Sequence, residues 1–227
     1  MEYKVRGTTM QVVDVQLQQG ETVYTEAGGM GWMSPNIKME TNSKGGFMKG
    51  LGRMFSGESF FMNLYTCTEG TGLITFPCEM PGKVVPMKLT EGEAIIAQRD
   101  AFMFAENSVK LEMHFRKNLG TGFFGGEGFI MQKISGPGQA FFEFGGEITE
   151  YNLQEGQVLK IDPGYIGCYE EKVSFELTTV GGVKNKLFGG EGFFLATVKG
   201  PGKVWLQSLP LARLAQKLIP YLPKKKN

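Results

Sequence analysis

The chain is poor in the residues that metal sites and nucleophilic catalysis require. Its 227 residues include a single histidine, His114, and three cysteines with no Cys-x-x-Cys pair. An odd cysteine count without paired spacing favours neither a disulfide framework nor a zinc knuckle. One imidazole cannot build a cupin-type metal site, which combines several histidines with a carboxylate. A Ser-His-Asp or Cys-His mechanism would depend on His114 alone.

Strong charge and long apolar runs are also missing. The formal net charge is +1, which gives no whole-protein argument for a nucleic-acid partner. No stretch approaches the roughly 18 apolar residues that a membrane span needs. The start, MEYKVRGTTM, has no apolar core of the signal-peptide kind. We therefore expect a cytoplasmic protein with no cofactor and no nucleic-acid ligand.

Glycine and phenylalanine are abundant instead, at 33 and 18 residues, and 41% of the chain is hydrophobic. The apolar residues fall in short runs that are separated by glycine turns. This composition and spacing are typical of an all-β protein with many tight turns. The hydrophobic content is sufficient for a sizeable core.

A leucine-glycine motif occurs three times along the chain. It reads LQQGETVYTE, LTEGEAIIAQ and LQEGQVLKID, with its glycine at Gly20, Gly92 and Gly156. An alternating segment follows each copy, as IKMETNS, VKLEMHF and VSFELTT. Such alternation of apolar and polar residues predicts a half-buried strand. Each of these strands carries a glutamate at the same place: Glu40, Glu112 and Glu176.

A third motif follows in each copy, as FSGESFF, FFGGEGFI and LFGGEGFF. Its glycine and glutamate recur before an aromatic strand, and the pairs are Gly57 and Glu58, Gly126 and Glu127, and Gly190 and Glu191. Three independent motifs in the same order predict an internal repeat. We therefore divide the chain into β modules at 1–86, with an insertion at 43–56, at 87–150 and at 151–210, packed as one body because each is small for a core of its own.

Helix is predicted in one or two short places only. KGGFMKGLGRMF, within the insertion, places apolar residues on one side and basic residues on the other. PLARLAQKLI begins with Pro210, a favourable first helical residue, and carries leucines at helical spacing. The second segment opens an amphipathic basic tail at 211–227.

The three-fold motif F-[SG]-G-E-[SG]-F, together with the closing GPGKVWLQSLPLARLA, resembles a family of bacterial and mitochondrial proteins. That family is named for altered inheritance of mitochondria, and the resemblance covers about residues 3 to 215. It implies a β-sandwich of the shortened double-stranded β-helix kind, similar to the tryptophan RNA-binding attenuation protein. The resemblance implies a ring of repeated modules, here a homotrimer. It brings no established catalytic residues.

The repeated carboxylates admit two interpretations. A carboxylate beside a glycine turn accepts backbone N–H bonds, and triplication is what modular architecture predicts. The alternative is an oxygen-ligand cation site between modules, because glutamate binds Ca²⁺ and Mg²⁺. On this alternative Glu58, Glu127 and Glu191 are weak candidate metal ligands.

Two basic amphipathic segments raise the question of a membrane surface. The insertion carries Lys44, Lys49 and Arg53 among apolar residues, and the tail ends in Lys224, Lys225 and Lys226. A basic amphipathic helix can lie on an anionic membrane. The other interpretation is that both segments pack against neighbouring subunits with solvated lysines.

The sequence therefore favours a non-enzymatic, oligomeric scaffold or binding protein, with peripheral membrane contact left open. An RNA-binding or small-ligand-binding ring is the first alternative, with sites at module interfaces. A metal-dependent enzyme of the cupin kind is the second, and the histidine count weighs against it.

Overall fold

The computed structural model describes residues 1–41, 62–117, 128–180 and 193–221. Within these ranges the regular structure is β-strand, apart from short 3₁₀ turns and one α-helix, α1 (Leu211–Leu218). The prediction of an all-β protein is confirmed. The predicted helix of the insertion lies outside the described residues. Pro210 is the N-terminal cap of α1, with extended backbone angles, and the helix begins one residue later than predicted.

The strands follow one another closely along the chain. In chain order they are β1 (Glu2–Arg6), β2 (Val12–Gln18), β3 (Thr22–Glu26), β4 (Trp32–Met33), β5 (Ile37–Thr41), β6 (Met62–Cys67), β7 (Thr71–Pro77), β8 (Gly82–Leu89), β9 (Ala94–Gln98), β10 (Phe102–Glu106), β11 (Lys110–Lys117), β12 (Phe129–Ser135), β13 (Gly138–Gly145), β14 (Ile148–Leu153), β15 (Val158–Ile161), β16 (Ile166–Glu170), β17 (Ser174–Val180), β18 (Phe193–Lys199) and β19 (Gly202–Gln207).

The strands form four antiparallel sheets. Sheet I has the order β1-β2-β7-β4, and sheet II has the order β5-β6-β3-β10-β13-β8. Sheet III repeats the second pattern as β11-β12-β9-β16-β19-β14, and sheet IV is β15-β18-β17. The predicted module boundaries at 86/87 and 150/151 fall inside β8 and β14. Each six-stranded sheet therefore combines strands from two of the predicted modules.

Three hydrophobic cores lie between successive sheets. The first is shared by sheets I and II, the second by sheets II and III, and the third by sheets III and IV. Sheet II is buried on both faces, since Phe104 belongs to the first core and Phe102 to the second. A strand buried on both faces needs a continuous apolar run, and AFMFA at 101–105 provides one.

Stacked phenylalanine rings lie at the centre of the first core. Phe104 lies between Phe76 and Phe141, with ring centroids 4.0 Å and 4.1 Å away and nearly parallel planes. Phe76 comes from sheet I, whereas the other two come from sheet II. All three side chains are fully buried. The stack therefore fastens the two sheets together.

The leucine-glycine motif forms the same turn in all three copies. Gly20, Gly92 and Gly156 have φ angles of +86°, +84° and +77°. Side chains other than glycine rarely adopt such angles. The motif therefore recurs because each turn that connects β2 to β3, β8 to β9 and β14 to β15, and so leads from one sheet to the next, needs a left-handed residue.

The phenylalanine stack makes a direct stability prediction. Replacing Phe104 by alanine should lower the free energy of unfolding by about 3–5 kcal/mol, because it opens a cavity between sheets I and II. Urea denaturation followed by circular dichroism measures this. The matched control is Tyr221→Ala, an aromatic truncation at a side chain 86% exposed, which should change stability by less than about 0.5 kcal/mol. A loss below about 1 kcal/mol for Phe104→Ala would contradict the shared core.

Candidate functional site at the strand junctions

Two strand pairings join successive parts of the chain. At the first junction β10 pairs with β3, with Ala105 opposite Tyr24. At the second junction β16 pairs with β9, with Tyr169 opposite Ile96. These four side chains are at most 1% exposed. Both junctions are therefore dry, continuous parts of a six-stranded sheet.

A side-chain acceptor lies at the end of the junction strand in each case. Glu106 accepts a hydrogen bond from the backbone N–H of Gln139 (2.7 Å), and Glu170 accepts one from that of Lys203 (3.0 Å). Ser34, which follows β4, accepts one from the backbone N–H of Leu73 (2.9 Å). Each bond joins the end of one strand to the start of its neighbour. The three residues therefore have the same structural role.

The glycine turns carry a second recurring acceptor. The side chains of Glu21, Glu93 and Gln157 each accept a hydrogen bond from the backbone N–H three residues earlier, at 2.7–2.8 Å. For Glu93 this bond holds the pKa of the carboxyl below its usual value. A carboxylate with one oxygen in the turn keeps its second oxygen available to another donor.

The sheet edges at β4 and β15 have the features of an incomplete junction. Within the described ranges, β4 pairs only with β7, and β15 pairs only with β18. Trp32 and Met33 of β4 are 49% and 36% exposed, and Val158 of β15 is 52% exposed. Unpaired edges with exposed apolar side chains favour pairing with another strand.

A cleft of about 660 Å³ lies beside the second junction, between β8 and the end of β16. We call it the Trp205 cleft, after the aromatic ring in its wall. Its other lining residues are Met87, Lys88, Leu89, Gly92, Glu93, Ala94, Ile95, Glu170, Glu171, Lys172 and Lys203. Its wall thus combines an apolar surface with three lysines and three glutamates, a combination suited to a ligand with both charges.

A smaller polar cleft, of about 300 Å³, includes Glu26, Arg99 and Glu143 in its lining. Arg99 forms an ion pair with Glu26 at 3.3 Å. Glu143 accepts a hydrogen bond from the backbone N–H of Glu79 at 2.9 Å. Burial, together with the negative charges of Glu79 and Asp100, raises the pKa of the Glu143 carboxyl to about 7. Protonation of this carboxyl therefore changes close to neutral pH.

The described residues contain no group of three or more histidine, cysteine, aspartate or glutamate side chains that could hold a metal ion. His114 lies on β11 with an exposed side chain, and partial desolvation of the imidazole, together with the charge of Lys133, lowers its pKa. Cys67, Cys78 and Cys168 are buried free thiols. Burial raises the pKa of the Cys78 thiol to about 12, so this sulfur is a poor nucleophile at neutral pH.

Most of the predicted site residues lie outside the described ranges. They are the third-motif pairs Gly57 and Glu58, Gly126 and Glu127, and Gly190 and Glu191, and the basic residues Lys44, Lys49, Arg53, Lys224, Lys225 and Lys226. The cation-site hypothesis for the three glutamates therefore stays a prediction, as does the membrane role of the basic residues. Of the predicted motif residues, Gly20, Gly92 and Gly156 are described.

Helix α1 lies on the surface with none of its residues buried. Its first turn is held to the β-sheet body by an ion pair between Arg213 and Asp162. Leu218 and Ile219 are 52% and 62% exposed, so the helix keeps an apolar side in solvent. In the part of the chain that the structure describes, no helix is long and apolar enough to cross a membrane.

The strand order and its junctions cover the same region as a known family model. The model described as mitochondrial biogenesis AIM24 matches residues 3–209, almost the whole chain. This chain belongs to the AIM24 family. The match confirms the resemblance that the three-fold motif carries, and it spans both junctions and both unpaired edges.

Two relatives from Streptococcus pyogenes extend this comparison. An uncharacterised protein of serotype M6 is 29% identical over 234 residues, covering 98% of this chain and 91% of the relative. The crystal structure of protein SPYM3_0169 superposes with a TM-score of 0.79 at 24% identity, covering 97% of this chain and 99% of that one. This second likeness supports the fold. Neither of the two names states a catalytic activity.

Sequence reasoning missed the acceptors at the ends of the junction strands. Glu106 and Glu170 are separated by the same 64 residues as Gly92 and Gly156 (170 − 106 = 156 − 92). That spacing was a usable signal. Ser34 was harder to find, because it replaces a glutamate with a shorter acceptor. Glu143 had no signal, since only the tertiary packing buries it.

The buried carboxyl of Glu143 predicts a pH effect on stability. Its pKa is higher in the folded chain than its ordinary value of 4.5. The folded state therefore holds the proton more tightly, and stability falls as pH rises from about 4.5 to about 7. The Glu143→Gln variant should lose this slope and gain up to about 3 kcal/mol at pH 8 relative to the natural chain.

Urea denaturation between pH 5 and pH 8 measures the effect. Glu147→Gln, an exposed carboxylate four residues later, is the control and should keep the natural slope. An unchanged slope in Glu143→Gln would show that this carboxyl is ionised in the fold.

Proposed function

We propose that this chain is the subunit of a closed head-to-tail homo-oligomer, a ring-like scaffold or binding protein without a catalytic site. The observation that carries the proposal is the match between its two unpaired edges. β15 has the same place in sheet IV as β3 has in sheet II and β9 in sheet III, but its junction partner is missing. β4 has the same place in sheet I as β10 has in sheet II and β16 in sheet III, and it also lacks its partner. The two edges together contain the elements of a third junction.

The contacts at the existing junctions define the register of the third. Met33 lies opposite Ile74 in β7, as Ala105 lies opposite Ala140 and Tyr169 opposite Val204. On the other strand, Lys160 follows Gly156 by four residues, as Tyr24 follows Gly20 and Ile96 follows Gly92. We therefore place Met33 opposite Lys160 of the next copy, with Trp32 opposite Ile161.

Exposure supports the same conclusion. Trp32 is 49% exposed, whereas Phe104 and Cys168, which hold its position at the two junctions, are both 0% exposed. Pairing with β15 of another copy would bring Trp32 into the equivalent environment. Burying an aromatic ring of this size stabilises an interface by roughly 1.5–3 kcal/mol.

Head-to-tail pairing produces either a closed ring or an open filament. A ring leaves no free β4 or β15 edge, which protects the protein from uncontrolled strand pairing. The resemblance to ring-forming modules implies three copies. We therefore propose a homotrimer, in which sheet IV of one copy and sheet I of the next form one continuous sheet.

A cysteine pair tests both the register and the closure. The double variant Met33→Cys/Lys160→Cys should form disulfides between copies under mild oxidation, because the two Cβ atoms would lie about 4.5–5.5 Å apart across the strand pair. Within one chain they lie on sheets I and IV, with two sheets between them, so they cannot join internally. Denaturing electrophoresis should show a ladder that ends at three chains.

Two further variants sharpen this test. Met33→Cys/Tyr151→Cys places the second thiol on β14, another half-exposed strand site, and should not cross-link. Trp32→Glu should convert the oligomer to monomer in light scattering, whereas Tyr151→Glu should not. A monomeric natural chain, or a ladder that continues without limit, would contradict the closed ring.

A second candidate function is contact with an anionic membrane surface. The observation that favours it is the exposed apolar side of α1, with Leu218 and Ile219 more than half exposed and a lysine-rich segment following in the sequence. Apolar burial and lysine attraction would act together at such a surface, at about 1 kcal/mol per lysine.

Co-sedimentation with vesicles tests this second candidate. The natural chain should bind vesicles containing 30% phosphatidylserine at low salt and release them at about 0.5 M salt, because salt screens the lysines. Leu218→Ser/Ile219→Ser should bind several-fold more weakly, and Val158→Ser is the control for an exposed apolar residue elsewhere. Absence of binding at low salt would assign the helix to contacts between subunits.

A further inference from the structure

The N-terminal strand occupies a groove at the first junction. The amino group of Met1 donates a hydrogen bond to Glu21 Oε1 at 2.7 Å, and the Met1 side chain is only 3% exposed. The ring of Tyr3 meets the ring of Phe141 edge to face, with centroids 4.8 Å apart. Strand β1 also pairs along β2, with Glu2 opposite Gln16. A carboxylate, an aromatic ring and a strand edge thus hold one short segment.

The same three features line the Trp205 cleft at the second junction. Glu93 follows Gly92 as Glu21 follows Gly20, and both side chains accept a backbone N–H in their turn. Trp205 lies opposite Cys168 in sheet III, as Phe141 lies opposite Phe104 in sheet II. The cleft is therefore the counterpart of the groove that β1 fills.

The edge of β8 is open where that of β2 is covered. β2 is paired on both sides, with β1 and β7. In the described ranges β8 forms a strand ladder with β13 alone, apart from one isolated bridge at Gly82. The Glu93 carboxylate accepts hydrogen bonds from the backbone N–H and the hydroxyl of Thr90, and among the described residues it forms no ion pair. Glu21 Oε1 is the atom that holds the amino group of Met1.

The charges of the cleft differ from those of the filled groove. The cleft has Lys88, Lys172 and Lys203 where the groove has Gln16, Ser108 and Gln139. Lys172 and Lys203 already form ion pairs with Glu170 and Glu150, at 3.0 Å and 2.9 Å. Lys88 has no such ion pair among the described residues, and by register it faces the second residue of a bound strand. An acidic second residue would therefore complement the cleft.

Pro86 limits the length of a bound strand. It stands at the place of Asp14, which lies opposite Lys4 in the filled groove. Proline has no N–H to donate across a strand pair. Pairing along β8 would therefore end after about three residues, which would lie beside Glu93, Lys88 and Met87.

We propose that the Trp205 cleft binds the free amino terminus of a peptide in extended conformation. The terminal ammonium is held by Glu93, an acidic second residue by Lys88, and an aromatic third residue by Trp205. The backbone of these residues adds to the open edge of β8, as in other cases of strand addition. The proposal concerns the second junction within one chain and does not depend on the proposed ring.

The probe is the amidated peptide MEYKV, which has the sequence of residues 1–5 and a fluorophore at its carboxyl end. Its binding to the full chain is measured by fluorescence anisotropy. The N-acetylated peptide should bind at least tenfold more weakly, because it has no ammonium. Glu93→Gln should weaken binding of the free peptide by a similar factor. Glu91→Gln, an exposed carboxylate of the same turn, should not.

A second measurement locates the bound peptide. The chain has two tryptophans, so in the Trp32→Phe variant all indole fluorescence comes from Trp205. Binding should shift this emission, and Glu93→Gln should abolish the shift at the same peptide concentration. Equal affinity for the acetylated peptide, an unaffected Glu93→Gln variant, or no binding at millimolar peptide would each overturn the proposal. Sensitivity to Glu21→Gln alone would overturn it too, because the peptide would then be replacing β1.

Discussion

The structure depends on the backbone pairing of β10 with β3 and of β16 with β9. These pairings convert short sets of strands into two six-stranded sheets that are buried on both faces. Without them, strands of about five residues would have neither the hydrogen bonds nor the covered faces that stabilise them. The phenylalanine stack, the turn carboxylates and both clefts lie beside one or other of these pairings. The candidate sites therefore follow from how the sheets are joined.

The sequence predicted the local part of this structure well. Gly20, Gly92 and Gly156 could be found because a left-handed turn position strongly favours glycine. The alternation of apolar and polar residues in VKLEMHF likewise predicted strand β11. The junctions could not be predicted from residue types, since hydrogen bonding between two backbones accepts almost any side chain. For the same reason the predicted module boundaries fell within β8 and β14.

The site residues divide in the same way. The capping role of Glu106 and Glu170 was accessible in principle through their 64-residue spacing, whereas the raised pKa of Glu143 arises only from the packing around it. The Trp205 cleft was invisible in sequence because its wall combines β8, a turn and the end of β16. The binding role proposed for the cleft comes from comparison with the groove at Glu21, where the equivalent surface binds strand β1 of the same chain. The groove at Glu21 thus provides a reference within the same chain for interpreting the Trp205 cleft.

The strand order of sheet II also has a consequence for the sequence of events during synthesis. β3 leaves the ribosome well before β10, so the edge of β3 that pairs with β10 stays unpaired while the intervening chain is synthesised. The same delay recurs for β9 and β16. A growing chain therefore always has one sheet with an unpaired strand edge. Each new segment pairs with that edge and adds a new unpaired edge of its own. Among the described residues, β15 of sheet IV keeps an unpaired edge, as β3 and β9 do before their own partners are synthesised.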